Sequence, residues 1–221
     1  MFVSEDAIMR KTEERYSLLP ILLAISTSAM LVANIVAGKQ FTVFGIALPC
    51  AVLIFPITYI ISDIFSEVYG YKWSRRSAWV AFGMNIFAVS MFQITLLLPA
   101  VPWFENQAAL EIVLGNTPRI LFASLLSFML GDWANDIVFR QMKRADAGNK
   151  RFALRSIISS LCGHFTDSLI FVPIAFIGAM PMSQMLIMIM IQPTTKFILE
   201  VVLLPLTKMC VELAERHEKT I

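Results

Sequence analysis

Charge is scarce in this chain. Asp, Glu, Lys and Arg make up 15% of its 221 residues, against about a quarter in a soluble domain. Cysteine is scarce too. Cys50, Cys162 and Cys210 stand in apolar runs without paired spacing, so they indicate neither a disulfide framework nor a zinc site and read as small packing residues. The phosphate loop GxxxxGK[ST] is absent, which excludes ATP hydrolysis by that route. HExxH and GxSxG are absent as well. Ser160, His164 and Asp167 supply the residue types of a hydrolase triad. All three are stacked along one helix, however, where the imidazole cannot sit between the other two. No enzyme activity, cofactor or metal is expected from these residues, and no nucleic-acid partner.

Apolar sequence fills the space. Hydrophobic residues are 57% of the total and mean hydropathy is +0.72. A helix needs about 20 residues to cross the hydrocarbon core. Six segments qualify, near 17–38, 46–69, 77–100, 117–139, 154–178 and 182–211. The expectation is an all-α polytopic membrane protein with six transmembrane helices. Residues 1–16 form an N-terminal segment, 17–211 the transmembrane domain and 212–221 a tail. Gly45, Pro49 and Pro56 interrupt the second span, so 41–48 is open to a re-entrant or hairpin reading. Pro193 and Pro205 point to a kinked, tilted or discontinuous sixth.

The few charges are segregated. Lys and Arg collect at 10–15, at 72–76, at 140–155 and at 208–219, while 101–118 holds two glutamates and no base. By the positive-inside rule both termini are cytoplasmic. The loop 101–118 carries Trp103, Phe104, Leu110, Ile112 and Val113, apolar enough to anchor a short element at the outer interface.

Ionisable groups within spans cost about 2.5–3.5 kcal/mol each at a helix centre, and so call for partners and a function. The second span carries Asp63 and Glu67, four apart. The fourth places Ser124, Asp132, Asn135 and Asp136 on one arc, and the fifth aligns Ser156, Ser160, His164 and Asp167. The sixth groups Gln192, Thr195, Lys196 and Glu200. At 1.5 Å per residue, His164 and Asp167 lie about 15–20 Å into their span, near the midplane. Lys196 is the expected counter-charge, ahead of Arg119. Locally, Lys196 and Glu200 are spaced to neutralise one another, and Glu67 and Asp136 to reach headgroups or basic loops. Ser159 and Gly163 read as a small-residue packing face. The simplest arrangement turns the polar stripes toward one hydrated cavity, with Tyr59, Phe65, Trp133 or Phe171 available to stack on a flat ring. Such a cavity is a solute pathway or binding site.

Asn34, Lys39, the run FPITYIISDIFSEVYGYK with Arg75 and Arg76 behind it, TPRILFASLLSF with Asp132, RSIISSLCGHFTDSLIF, and Lys196 with Glu200 together resemble the queuosine precursor transporter family, also called the vitamin uptake transporter family. The resemblance spans about 17–212. It implies a multi-pass importer of the bacterial inner membrane for 7-cyano-7-deazaguanine and 7-aminomethyl-7-deazaguanine. It also implies six helices distantly like the substrate-binding components of energy-coupling-factor transporters. A deazaguanine offers N–H donors to a carboxylate and a carbonyl to Lys, Asn or Gln. The candidate binding residues are therefore Asn34, Asp63, Asp132, Asn135, Arg155, His164, Asp167, Gln192, Lys196 and Glu200. The expected partners are the base and the bilayer. A separate energising subunit is not expected, and a homo-oligomer is left open. The alternative is a membrane-embedded binding subunit of an ATP-driven vitamin transporter.

Overall fold

A computed structural model of the chain describes residues 18–43, 45–145 and 152–220. The segment 1–16 and the basic residues Lys150 and Arg151 lie outside this set. In chain order the elements are α1 (Leu19–Val36), β1 (Gln40–Val43), β2 (Ile46–Pro49), a 3-10 turn (Cys50–Leu53), α2 (Phe55–Val68), α3 (Tyr71–Leu97), α4 (Gln107–Leu114), α5 (Thr117–Ala145), α6 (Phe152–Phe176) and α7 (Met182–Thr220).

Proline opens α1 and α2. Pro20 and Pro56 stand in their first turns, where the missing N–H has no partner to lose. Gly70, at φ 80°, turns the chain from α2 into α3, a conformation that a Cβ disfavours. Four stretches are long and apolar enough to cross a membrane: Leu19–Val36, Tyr71–Leu97, Gln107–Met142 and Ile157–Phe176. The second and sixth expected spans are not among them. Of the two readings open for the second span, one crossing over 46–69 or a hairpin entry at 41–48, the chain takes the hairpin: Ile46–Pro49 pairs antiparallel with Gln40–Val43. The helix then starts only at Phe55 and is 14 residues long. That is about 21 Å, short of a hydrocarbon core about 30 Å thick. α7 is a single helix of 39 residues that passes through both Pro193 and Pro205. Of the kinked, tilted or discontinuous course expected of this span, the discontinuous one is not taken, and the helix extends to Thr220.

The hairpin is set into one end of the bundle. Leu48, Pro49, Ala51 and Val52 are buried. Ala47 packs on a core built by α5, α6 and α7 from Ala123, Val172, Phe176, Met185, Met188 and neighbours. At the opposite end Leu19, Ile61 and Phe65 form a second cluster. There Glu218 accepts hydrogen bonds from the Tyr69 hydroxyl at 2.8 Å and the Leu18 N–H at 3.1 Å.

α5 and α6 make the most extensive helix–helix contact, and glycine permits it. A Cβ on Gly131 would stand 3.0 Å from the Gly163 carbonyl oxygen, and one on Gly163 would stand 3.1 Å from the Gly131 oxygen. Backbones approach this closely only across small residues. Apolar side chains such as Phe87, Phe122, Met190 and Val202 are more than half exposed, a surface suited to lipid.

Candidate functional site

His164 and Asp167 lie one turn apart on α6, as Lys196 and Glu200 do on α7. Residues three or four apart share a helix face, and the two helices run antiparallel, so the rows meet crosswise. The Lys196 ammonium donates to the Asp167 carboxylate. His164 Nε2 is 3.0 Å from Glu200 Oε2. The local alternative, Lys196 with Glu200 along α7, is not adopted; each reaches across to α6.

Other elements close around these pairs. The Phe55 ring, at the start of α2, has its centroid 5.0 Å from Lys196 Nζ, within cation–π range. One turn on, Tyr59 presents its ring to His164 at 6.3 Å between centroids. A turn beyond that, Asp63 is within electrostatic reach of Glu200. From α5 Ser127 lies near Asp167, with its hydroxyl donating to the Ser124 carbonyl at 3.3 Å. Lys196 is only 7% exposed, and a charge so placed is tolerated because it is paired and hydrogen-bonded. Three carboxylates (Asp63, Asp167, Glu200) thus face one lysine and one imidazole. Carboxylates outnumber the basic groups here, which favours a ligand that donates hydrogen bonds or brings positive charge.

Among the described residues three buried side-chain atoms have no protein partner: Gln192 Oε1, Ser168 Oγ and, at the other end of the bundle, Glu218 Oε2. Each such atom costs about 1–3 kcal/mol of stability.

The remaining candidates lie elsewhere. Asp132 accepts from Arg75 of α3 at 2.5 Å, and both side chains are over 40% exposed. Asp136 pairs with Arg140 along the same helix. Asn135 packs beside Gly163 of α6. Asn34 donates to Asn85 Oδ1 of α3 at 2.9 Å, and Asn85 in turn donates to the Ala81 carbonyl. This buried amide pair ties α1 to α3 and satisfies itself. The Arg155 side chain lies outside the described residues. Among the described residues Arg119 is paired with no carboxylate; it donates to the Ile174 and Ile177 carbonyls at the end of α6, where a cation complements the helix terminus. Of the aromatics expected to stack, Tyr59 reaches the ion pairs. Phe65 is buried with Leu19 and Ile61, and Trp133 is 63% exposed.

Three residues at or near the site, Phe55, Ser127 and Ser168, and Asn85 beside Asn34 have no counterpart among the sequence candidates. Phe55 carries the only available signal, standing one turn before Tyr59. Asn85, Ser127 and Ser168 are small polar groups in apolar helices, and nothing in their spacing says which neighbour they face. An apolar groove of about 310 Å³, lined by Phe104, Leu110 and Val113 among others, includes none of the ion-pair residues. Among the described residues, no group of three or more His, Cys, Asp or Glu is placed to hold a metal ion.

Comparison with known proteins gives this geometry a setting. A family model described as "Putative vitamin uptake transporter" matches residues 49–210, a range that includes both cross-helix pairs and excludes Asn34. The "Probable queuosine precursor transporter" of Bacillus subtilis (strain 168) is 26% identical over 153 residues, which is 69% of this chain and 67% of that protein. No solved structure matches the chain. Cross-helix ion pairs, long apolar helices and a family match over most of its length agree: this chain belongs to the vitamin uptake transporter family.

Proposed function

We propose that the chain carries 7-deazaguanine bases, 7-cyano-7-deazaguanine and 7-aminomethyl-7-deazaguanine, across the bacterial inner membrane, and that it does so without an ATPase of its own. The observation that carries this reading is the paired quartet Asp167–Lys196 and His164–Glu200, held between two helices beside Phe55 and Tyr59. A guanine-like ring offers an N–H edge to carboxylates, a carbonyl to the lysine and a flat face to the aromatic rings. The excess of carboxylates suits the aminomethyl cation as well. The name of the Bacillus subtilis relative points to the same substrate class.

In this reading the chain crosses the membrane six times with both termini cytoplasmic. The hairpin and α2 together make the second crossing and the middle of α7 the sixth, an arrangement distantly like that of energy-coupling-factor substrate-binding components. The gathering of Lys and Arg at 72–76 and 140–155 supports the orientation. Asp63 and Gln192 lie alongside the quartet, and Asp132 with Arg75 stands nearer the cytoplasmic face.

The test is reconstitution of the purified chain alone into liposomes, followed by uptake of radiolabelled 7-cyano-7-deazaguanine. Uptake that saturates, and is competed by the aminomethyl base but not by adenine, is the expected result. Binding without uptake would make the chain a subunit that needs an energising partner. Neither binding nor uptake of either base would overturn the reading.

A further inference from the structure

We propose that Ser168 and Gln192 form the part of the site that reads the ligand's hydrogen-bonding edge, on the hairpin side of the Lys196–Asp167 pair. The inference rests on the deazaguanine reading above and adds where in the bundle the base sits and what recognises it.

Ser168 is 0% exposed and Gln192 1%, yet Ser168 Oγ and Gln192 Oε1 have no hydrogen-bond partner. Buried polar atoms are nearly always satisfied, and a fold gains stability when such an orphan is replaced by an apolar group of similar shape. Of the three such atoms among the described residues, Glu218 Oε2 lies at the far end with Tyr69; the two that neighbour the Lys196–Asp167 pair in the helix register mark a place where something else completes the bonding.

Their position follows from the helix register. On α6, Ser168 follows His164 by one turn on the face that carries the ion pairs, and on α7, Gln192 precedes Lys196 by one turn. The helices are antiparallel, so both residues are displaced in the same direction, toward the end where Ala47 of the hairpin meets Met185 and Met188. Phe171, three residues beyond Ser168, packs with Phe55 around Ala37, Ala51 and Ile120. A ring from α6 and a ring from α2 therefore border the same region.

The chemistry of the orphans selects the ligand. The Gln192 amide oxygen only accepts, whereas the Ser168 hydroxyl both donates and accepts. Between them and the Lys196–Asp167 pair, a flat heterocycle presenting N–H and C=O groups side by side completes both orphans at once. An inorganic anion offers no donor to Gln192, and an alkyl chain completes neither.

The experiment uses the purified full chain in detergent, with 7-cyano-7-deazaguanine as probe, and measures equilibrium binding and thermal unfolding on the same samples. For Gln192→Leu the dissociation constant is expected to rise about tenfold, and for Ser168→Ala about threefold. Both variants are expected to unfold at or above the wild-type temperature, because each removes an unsatisfied atom. Wild-type affinity in both variants would overturn the assignment while leaving the transport reading in place. Lost binding accompanied by a lowered unfolding temperature would also overturn it, by making the residues structural. Failure of the wild type to bind the probe would sink the deazaguanine reading itself, and this inference with it.

Discussion

Lys196 and Asp167 keep 9% and 21% of their side-chain surface exposed, while Arg75 and Asp132 keep 45% and 42%. Both are lysine- or arginine-to-aspartate bridges between helices of one bundle, yet their surroundings give them different work. An exposed pair gains about 0–1 kcal/mol because water and salt screen it. A buried pair is poor at raising stability, and removing one partner is severe because the other is stranded. A deep pair with orphaned polar neighbours therefore points to ligand chemistry. Exposed pairs such as Arg75–Asp132, between two helices, and Arg140–Asp136 and Lys219–Glu215, each along one helix, contribute little to stability.

The comparison breaks most visibly at Lys196. Lys196→Met is expected to destabilise the protein by about 3–5 kcal/mol by leaving Asp167 unpaired, and to abolish uptake. Adding Asp167→Asn is expected to restore most of the unfolding temperature but none of the uptake. Equal stability in the single and double variants would show that the pair is not buried in the sense argued here.

A smaller effect is expected where α5 meets α6. Gly163→Ala places a methyl group 3.1 Å from the Gly131 carbonyl oxygen, and the helices must separate, at about 1–3 kcal/mol. Thermal unfolding measures this directly, and an unchanged midpoint would mean the contact is slack. Asn34→Ala is expected to cost about 1–3 kcal/mol by stranding the Asn85 amide oxygen. In a double-mutant cycle with Asn85→Ala the two losses should fall well short of adding. Full additivity would show that the amides act independently. The smallest change is expected at the exposed end: Arg140→Ala should shift stability by less than about 1 kcal/mol and leave uptake within about twofold of wild type. A large loss there would erase the distinction between the two kinds of pair.

How much of this was legible in the sequence depended on whether the signal was local. Apolar runs marked the helices, and Gly45, Pro49 and Pro56 marked a disturbance at the second span. Strand pairing of Phe41 with Leu48 and Thr42 with Ala47 is a contact between segments, so periodicity did not show it. The same holds for the charges. Spacing put His164 and Asp167 on one face and Lys196 and Glu200 on another, and the depth of Lys196 made it the natural counter-charge for Asp167. Glu200 looked equally able to serve Lys196 along its own helix. Only the register of α6 against α7 sends it to His164. Asp132 illustrates the converse. Its stripe with Asn135 and Asp136 was plain, but helix α5 turns Asp132 to Arg75, Asn135 to Gly163 and leaves Asp136 with Arg140. One stripe thus serves three neighbours, and stripe geometry alone assigns none of them.

Equilibrium binding of 7-cyano-7-deazaguanine to the folded Asp167→Asn/Lys196→Met double variant puts the greatest strain on the central claim. Removing the ion pair without stranding a charge should leave the helices assembled and weaken binding at least about tenfold relative to wild type. Wild-type affinity in a folded double variant would mean that the base is held elsewhere, and that the Lys196–Asp167 pair serves the fold alone.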